Sequence, residues 1–374
     1  MVDGSETATW LSALLATGRY PSGSPPDEVL RRARAERVHL LVADIVAHAA
    51  RAAEGEPPFS PDEIVRLGGE MRAAAVDDVA RTRELVRMAA ALDAAGCQPI
   101  VFKGAALAHT HYRQPWLRPR LDVDVLVTER GRKRASRALR ALGYKSPPFV
   151  SGRLVMYQEP FVRAEAGGLE HVVDLHWRVA NPQAVSRVLS HAELAARSVV
   201  IAVPGGRLRV ACPADALVLA SVHRAAHHQD AQDLLWLFDI HLVAGRLSEA
   251  EWRTALGTAR AASVRALCAR GLALAASRFG TIVPTFVTAA LAGAAAGEPS
   301  AVFLRAGLTP AGRLASDMRA LGVGDRARLL FEIVAPPRAY MRAVHGDAGW
   351  LPWLYLRRVA AGAGKWLRPV RRAR

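Results

Sequence analysis

The spacing of apolar positions changes along the chain and separates helical stretches from a mixed region. Residues 1–94 carry apolar side chains at helical intervals, and helix starts are predicted at Asp27, after a proline-rich turn, and at Pro61. Residues 95–210 combine short apolar runs with helical segments, which predicts strands and helices together. After Pro213 the helical spacing returns.

The expected architecture is an α+β protein in four parts. A helical region, 1–94, precedes a core with a small mixed β-sheet, 95–210. A helical domain, 211–280, is expected to complete a cleft with that core, and a helical region with a basic, aromatic tail, 281–374, ends the chain. A chain of 374 residues with 51% hydrophobic residues is long and apolar enough for two or three folded domains.

Short runs rich in β-branched residues predict the strands of the sheet. They are Pro99–Phe102, the run around Asp122 and Asp124, Leu154–Tyr157, Phe161–Arg163, Glu170–Val179, and a hairpin of Val199–Val203 with Arg207–Val210.

Two of these strands carry acidic side chains in an unusual setting. Asp122 and Asp124 are one residue apart on an apolar strand, so both carboxylates share a face while Val123 and Val125 point into the core. Paired carboxylates repel each other and are costly to desolvate. A divalent cation with oxygen ligands, Mg²⁺ or Mn²⁺, is the usual compensation.

A third carboxylate strengthens the prediction of a metal site. The strand Glu170–Val179 places Asp174 and His176 on one face. If this strand lies beside the first, three carboxylates can hold two metal ions about 3.5–4 Å apart, which is the arrangement of an in-line phosphoryl displacement.

The ordered set of motifs resembles the uncharacterised nucleotidyltransferase family of the polymerase-beta-like superfamily. The resemblance extends over about residues 25–345. It rests on K-G-x-x-L at Lys103–Leu107, L-R-P-x-x-D-V-D-V-L-V at Leu117–Val127, V-D-L-H-W at Val173–Trp177, and the helical run Leu234–His241.

The resemblance implies an enzyme that moves a nucleoside monophosphate from a nucleoside triphosphate to an acceptor hydroxyl and releases pyrophosphate. Asp122 and Asp124 would bind the metal that bridges the nucleotide phosphates. Asp174 would bind the second metal and take the proton from the acceptor. The acceptor, whether small molecule, protein or RNA, is not specified by these motifs.

Five further residues are predicted to contact the nucleotide. Lys103 supplies a positive charge for the β- or γ-phosphate, and Gly104 lets the backbone approach the triphosphate so that the following helix N-terminus donates to it. Arg118 and Arg120 are candidates for phosphate pairing, and His176 lies on the same face as Asp174.

Each assignment has a structural alternative. The aspartates can cap a loop, Arg118 can form an internal ion pair, and His176 can be packed and hydrogen-bonded. In the helical half, His223 and His227 share a helix face, and packing, substrate contact and metal binding all stay open for them. The alternative function is a non-catalytic nucleotide- or RNA-binding module; a kinase is disfavoured because no Gly-rich phosphate loop or His-Arg-Asp motif is present.

The charge of the chain points to an anionic partner. The net charge is +16, and residues 351–374 carry seven basic side chains and no acidic one, with aromatic residues between them. Such a tail can bind RNA or an anionic membrane surface, or be a solvated extension. Three distant cysteines and an N-terminus without a signal-peptide pattern predict a cytoplasmic protein.

Overall fold

The computed structural model describes residues 4–21, 26–52, 58–294, 297–346 and 350–366. Within them, helices precede, interrupt and follow a single group of strands. The helices are α1 Gly4–Thr17, α2 Pro26–Ala35, α3 His39–Ala52, α4 Pro61–Ala94, α5 Lys103–Thr110, α6 Arg132–Ala141, α7 His191–Arg197, α8 Pro213–Val222, α9 Leu234–Ala244, α10 Glu249–Ala261, α11 Arg265–Phe279, α12 Thr285–Leu291, α13 Pro310–Arg319, α14 Val323–Val334, α15 Arg338–His345 and α16 Leu351–Trp366.

The strands form one mixed sheet in the order β3-β4-β2-β1-β6-β5. They are β1 Ile100–Phe102, β2 Asp122–Leu126, β3 Gln158–Ala164, β4 Glu170–His176, β5 Val199–Val203 and β6 Gly206–Val210. β2 runs parallel to β4 and antiparallel to β1, while β5 and β6 form the predicted hairpin. The predicted α+β fold with a small mixed sheet and flanking helices is confirmed.

The register of β2 against β4 places the acidic residues side by side. Asp124 lies opposite Asp174, and Asp122 lies opposite Val172. Because side chains alternate along each strand, Asp122, Asp124 and Asp174 all lie on one face of the sheet. Val125 and Val173 lie on the other face, in an apolar cluster with residues of α4 and α6.

The long helix α4 supports that second face. Ser60 caps it: its hydroxyl accepts from the backbone N–H of Glu63, whose carboxylate accepts from the Ser60 backbone N–H. The predicted start at Pro61 is therefore confirmed. The helix continues for 34 residues to Ala94, and Gly96, with φ of 65°, follows it in the left-handed region.

The prediction of a strand at Leu154–Tyr157 is wrong. The backbone N–H groups of Leu154 and Val155 donate to the Glu332 carboxylate, and that of Tyr157 donates to Asn181. These side-chain acceptors replace a neighbouring strand, so the segment stays irregular. The predicted strand at Phe161–Arg163 is present within β3.

Apolar packing crosses the borders of the four predicted parts, whose division stays a prediction. One buried cluster combines α1 to α4 with α9 and Phe279 of α11. Another joins Ile100 and Phe102 of β1 to helices α8 to α11. Among the described residues, no helix is both long enough and apolar enough to cross a lipid bilayer.

Candidate active site

Asp124 is the most buried acidic residue of the predicted site, with 6% of its surface exposed. Its Oδ1 accepts from Lys103 Nζ at 2.6 Å and lies 2.8 Å from His176 Nε2. Burial alone would raise the pKa of Asp124, but Lys103 and His176 together hold it well below its usual range. Lys103 and His176 therefore favour the ionised form of Asp124.

Asp174 faces Asp124 across the β2–β4 pair and has the opposite electrostatics. Burial and the charges of Asp124 and Asp122 raise the pKa of Asp174 to about 7. Gln158 Nε2 donates to Asp174 Oδ2 at 2.5 Å, and Asn181 Nδ2 donates in turn to Gln158 Oε1 at 3.0 Å. The side-chain amides of Gln158 and Asn181 thus fix the orientation of one carboxylate oxygen of Asp174.

Asp122 stands at the start of β2 and is the most exposed of the three aspartates. Desolvation and the charge of Asp124 raise its pKa. Three carboxylates thus share one face, and their mutual repulsion is only partly offset by Lys103. Added positive charge would relieve it.

Lys103 reaches the carboxylates from a strained backbone position. It follows β1 directly and begins α5 with φ of 53°, in the left-handed region that non-glycine residues rarely occupy. Such conformations cost about 1–3 kcal/mol and cluster at functional sites. The strain accompanies the placement of Nζ beside Asp124.

Gly104 and Arg118 make a close contact at the floor of the site. A Cβ built on Gly104 would overlap Nη1 of Arg118, so any larger residue there would force the guanidinium to move. Arg118 Nε and Nη2 bond the two carboxylate oxygens of Asp239 on α9 at 2.8 and 2.6 Å. Asp239 also accepts from Tyr112 Oη at 2.8 Å. Arg118 is thus a buried ion-pair residue whose Nη1 lies over Gly104.

Arg120 is also paired. One of its terminal nitrogens bonds Asp78 on α4, and the other donates to the Pro115 carbonyl at 3.1 Å. The side chain precedes β2 and lines the same opening as Arg118. Both arginines therefore give this wall positive charge while being held in place by carboxylates.

A cleft of about 660 Å³ opens over these residues. Seven of the eight predicted site residues line it: Lys103, Gly104, Arg118, Arg120, Asp122, Asp124 and Asp174. His176 is the exception, because it is fully buried and lies between Asp124 and the Arg178 carbonyl, with Nδ1 3.2 Å from that oxygen. Its contact to the site runs through Asp124.

A group of histidines, whose role the sequence does not decide, forms another part of the cleft wall. His223, His227 and His228 follow α8 at a π-helical turn, His223–His227, a rare geometry that occurs often at functional sites. Burial and the charge of Lys103 lower the pKa of both His223 and His227 well below the usual range.

These imidazoles carry unused hydrogen-bonding capacity. His223 Nδ1 and His227 Nε2 are buried without a hydrogen-bond partner among the described residues. His228 stacks on Trp236 with ring centroids 3.8 Å apart, and the Arg37 guanidinium lies 4.6 Å from the Trp236 ring centre. Neutral imidazoles at a cleft wall can donate or accept one hydrogen bond at each free nitrogen.

The donor set fits a metal ion. One ligand atom from each of Asp124, Asp174 and His176 lies within 4.8 Å of the others. Carboxylate oxygens dominate the face, and oxygen ligands are those that Mg²⁺ and Mn²⁺ prefer. The acidic and histidine cluster can therefore hold a cation, with Asp122 next to it on the same strand face.

A comparison with known families gives a result that agrees with this geometry. The profile of a family described as uncharacterised nucleotidyltransferase matches residues 22–280. The chain belongs to this family. The matched span contains the cleft residues of the sheet, α4, α5, α8 and α9, and it ends before the predicted limit of residue 345. No curated protein matches the chain.

Gln158 and Asn181 are site residues that the sequence does not reveal. Neither lies in a motif, and they are 23 residues apart in the chain. Gln158 reaches Asp174 because β3 pairs with β4. No sequence pattern predicts this contact, because it depends on the pairing of β3 with β4.

Proposed function

We propose that the protein is a metal-dependent nucleotidyltransferase that moves a nucleoside monophosphate from a nucleoside triphosphate to an acceptor hydroxyl and releases pyrophosphate. The observation that carries this proposal is the β2–β4 register, which sets Asp124 opposite Asp174 with Asp122 on the same face. The family assignment supports it.

Asp122, Asp124 and Asp174 are assigned to binding two divalent cations, Mg²⁺ or Mn²⁺. Bound cations would neutralise charge on the phosphates and lower the barrier to in-line displacement at the α-phosphate. Asp124 is suited to serve as the ligand that both cations share, because its lowered pKa keeps it ionised at physiological pH. Asp174 is also assigned to receive the proton of the acceptor hydroxyl, because it faces Asp124 across the strand pair and Gln158 holds only one of its two carboxylate oxygens.

The groups around Gly104 are assigned to the triphosphate. Lys103 provides charge near the β- and γ-phosphates, and backbone amides at the start of α5 provide hydrogen bonds. Arg118 offers Nη1, which Asp239 leaves unpaired, and Arg120 extends the positive wall. His176 is assigned to orienting Asp124, because it is buried below the cleft.

The acceptor is assigned to the cleft wall that carries the histidine group. His223 and His227 offer unpartnered nitrogens there, and their lowered pKa keeps them neutral. Neutral imidazoles contact a hydroxyl-bearing acceptor without adding charge near the metals. Small molecules, protein side chains and RNA 3′ ends all present such a hydroxyl.

Binding and product analysis test the proposal. Calorimetry with each of the four nucleoside triphosphates and Mg²⁺ is expected to show binding to the wild type, and Asp122→Asn/Asp124→Asn is expected to abolish it. Asp77→Asn is the matched control, because Asp77 lines the cleft outside the carboxylate set. Loss of binding in both variants would show a general charge effect and contradict the assignment.

The released product separates the candidate reactions. Incubation of labelled nucleotide with hydroxyl acceptors is expected to give pyrophosphate and labelled acceptor. Nucleoside diphosphate would indicate a kinase. Binding without either product over the full acceptor set would favour the alternative, a nucleotide- or RNA-binding module that keeps the fold without turnover.

A further inference from the structure

Helix α14 presents a continuous apolar stripe to solvent. Val323, Leu330, Phe331 and Val334 are 81, 41, 68 and 48% exposed, and Ala327 lies on the same exposed side. The spacing i, i+4, i+7, i+8, i+11 puts all five on one helix face. The opposite face is buried through Leu329 and Glu332.

Helix α16 repeats this arrangement. Trp353 and Leu356 are 58 and 62% exposed, Val359 is 49% exposed, and Ala360 is exposed beside them. Leu354 of the same helix is buried at 4%, so the helix packs through a different face and leaves this stripe outward. Trp350, just before the helix, is 75% exposed. Exposed apolar groups of this extent indicate an interaction surface.

The charges around these stripes have one sign. Arg326, Arg338, Arg342 and Arg357 are exposed on α14, α15 and α16. In the described part of 321–366, the acidic residues are half-buried or buried: Asp325 and Glu332. The sequence continues beyond 366 with four more arginines.

The surface is fixed to the body of the protein. Glu332 accepts hydrogen bonds from the backbone N–H groups of Arg153, Leu154 and Val155 at 2.8, 2.8 and 3.0 Å. Asp317 of α13 accepts from the Gln183 backbone N–H at 2.6 Å. Helix α14 is therefore anchored to the body, and Tyr355 Oη of α16 donates to the Pro336 carbonyl, just after α14, at 2.7 Å.

We propose that α14, α15 and α16 form a docking surface for an anionic lipid bilayer. Outward aliphatic side chains, tryptophan and flanking arginines are the composition of helices that lie in the membrane interface. Anionic headgroups attract each basic residue near the surface by about 1 kcal/mol. The surface lies outside the family match, which ends at residue 280, so it adds a location to the nucleotidyltransferase core without depending on its proposed reaction.

The chemistry of the face favours lipid over the other occupants. Aliphatic side chains, among them Val323, Leu330 and Val334, outnumber the rings of Phe331 and Trp353 on the stripes and offer no surface on which a nucleobase can stack, whereas RNA-binding faces rely on stacking. A second copy would bring arginines against arginines, since no exposed carboxylate is described on these helices. Lipid tails accept the apolar stripe while headgroups accept the charge.

Vesicle flotation of the full chain tests the proposal. Vesicles of phosphatidylcholine alone are compared with vesicles that also contain phosphatidylglycerol, at low and high salt. The variant Phe331→Glu/Trp353→Glu places charge on both stripes. The matched control Val65→Glu/Ile282→Glu changes two apolar residues that are 70 and 86% exposed elsewhere.

The expected result is binding to the phosphatidylglycerol vesicles that falls about tenfold or more in the stripe variant and at high salt, with the control unchanged. Quenching of tryptophan fluorescence by brominated lipid tails is expected to accompany binding. Absence of binding by the wild type, or equal loss in both variants, would overturn the proposal. Binding of a single-stranded RNA that only the stripe variant loses, without vesicle binding, would assign the face to RNA. A dimer that only this variant abolishes, again without vesicle binding, would assign it to a second copy.

Discussion

At the residue scale, the pKa values of the neighbouring carboxylates of Asp124 and Asp174 differ because the two side chains have different hydrogen-bond partners. Asp124 has two cationic or imidazole partners and keeps its charge, whereas Asp174 has an amide partner and the repulsion of two aspartates. The raised pKa of Asp174 reflects the repulsion among the three carboxylates when no cation is bound, whereas Lys103 and His176 keep Asp124 charged.

The raised pKa of Asp174 predicts a pH-dependent stability for the metal-free protein. Its pKa is about 7 when folded and 3.8 ordinarily, so the folded state holds the extra proton between these values. The free energy of unfolding should therefore fall as pH rises from about 4 to about 7. Asp174→Asn is expected to flatten this decline, measured by urea unfolding in the presence of EDTA.

Mg²⁺ provides the control for that measurement. At pH 8 it should raise the melting temperature of the wild type, because it binds the ionised carboxylates, and should raise that of Asp174→Asn much less. If the free energy of unfolding of Asp174→Asn in EDTA fell with pH as steeply as that of the wild type, Asp174 would not carry the extra proton.

At the element scale, ion pairs connect the sheet to helices on both sides of the cleft. The pair Arg118–Asp239 joins the segment before β2 to α9, and Arg120–Asp78 joins it to α4. The Arg118 side chain is 8% exposed and its partner 4%. Burial alone would lower the pKa of Arg118, but the charge and the hydrogen bonds of Asp239, with smaller contributions from Tyr112 and Asp122, together raise it. These pairs hold the cleft walls at a fixed separation.

Breaking the buried pair should be costly. Asp239→Ala leaves the Arg118 guanidinium buried without its partner, and the expected loss in the free energy of unfolding is about 3–5 kcal/mol. Arg118→Met/Asp239→Leu should recover most of it, because no charge stays buried. Asp93→Ala, at an exposed position on α4, should change stability by no more than about 0.5 kcal/mol. Equal effects of Asp239→Ala and Asp93→Ala in urea unfolding would contradict the role of the pair.

The close contact between Gly104 and Arg118 predicts that a side chain at position 104 lowers both stability and nucleotide binding. Gly104→Ala should displace the guanidinium, lower stability by about 1–3 kcal/mol and weaken Mg²⁺-nucleotide binding in calorimetry. Gly69→Ala on α4 is the matched control, because no heavy atom lies within 4 Å of its added Cβ. The control should stabilise by about 0.5–1 kcal/mol. A Gly104→Ala protein with full stability and affinity would refute the steric argument.

At the scale of the whole molecule, the C-terminal helices are joined to the core near the site. Glu332 binds the backbone of 153–155, Gln183 bonds the Leu154 carbonyl at 2.6 Å, and Tyr157 donates to Asn181, which holds Gln158. Tyr157 Oη also donates to Gln183 Oε1 at 2.7 Å, which completes a chain of hydrogen bonds from α14 to Asp174. The same region carries the proposed membrane surface, so its anchoring sets where the cleft stands relative to lipid.

Removing that anchor should loosen one end of the molecule. Burial alone would raise the pKa of Glu332, but the three backbone N–H groups hold it lowered. Its contribution to stability is therefore present above pH about 4.5 and lost as pH falls through the lowered value. Glu332→Ala should expose the 153–155 amides to hydrogen exchange at pH 7, with Asp325→Ala on the same helix as control. Unchanged protection in Glu332→Ala would show that other contacts suffice.

How far the sequence predicts this site can be judged from particular residues. Alternation along β2 puts Asp122 and Asp124 on one face whatever surrounds them, and the hairpin of β5 and β6 follows from its Pro-Gly-Gly turn. The sequence does not tell whether Arg118 pairs with a phosphate or with an internal acid, because its partner Asp239 lies 121 residues away in the chain. The local pattern of Leu154–Tyr157 predicts a strand wrongly, because the carboxylate that accepts from its backbone N–H groups, Glu332, lies 178 residues beyond Leu154.

Local features follow from the amino-acid sequence: which residues share a strand face, where α4 begins, and which motifs carry the family resemblance. Backbone stereochemistry and side-chain periodicity act over a few residues, so they can be read directly. Long-range packing places Asp174 opposite Asp124, lets Gln158 orient it, and brings His223 and His227 to the cleft. Those contacts join distant parts of the chain, and their energies depend on how the whole molecule packs.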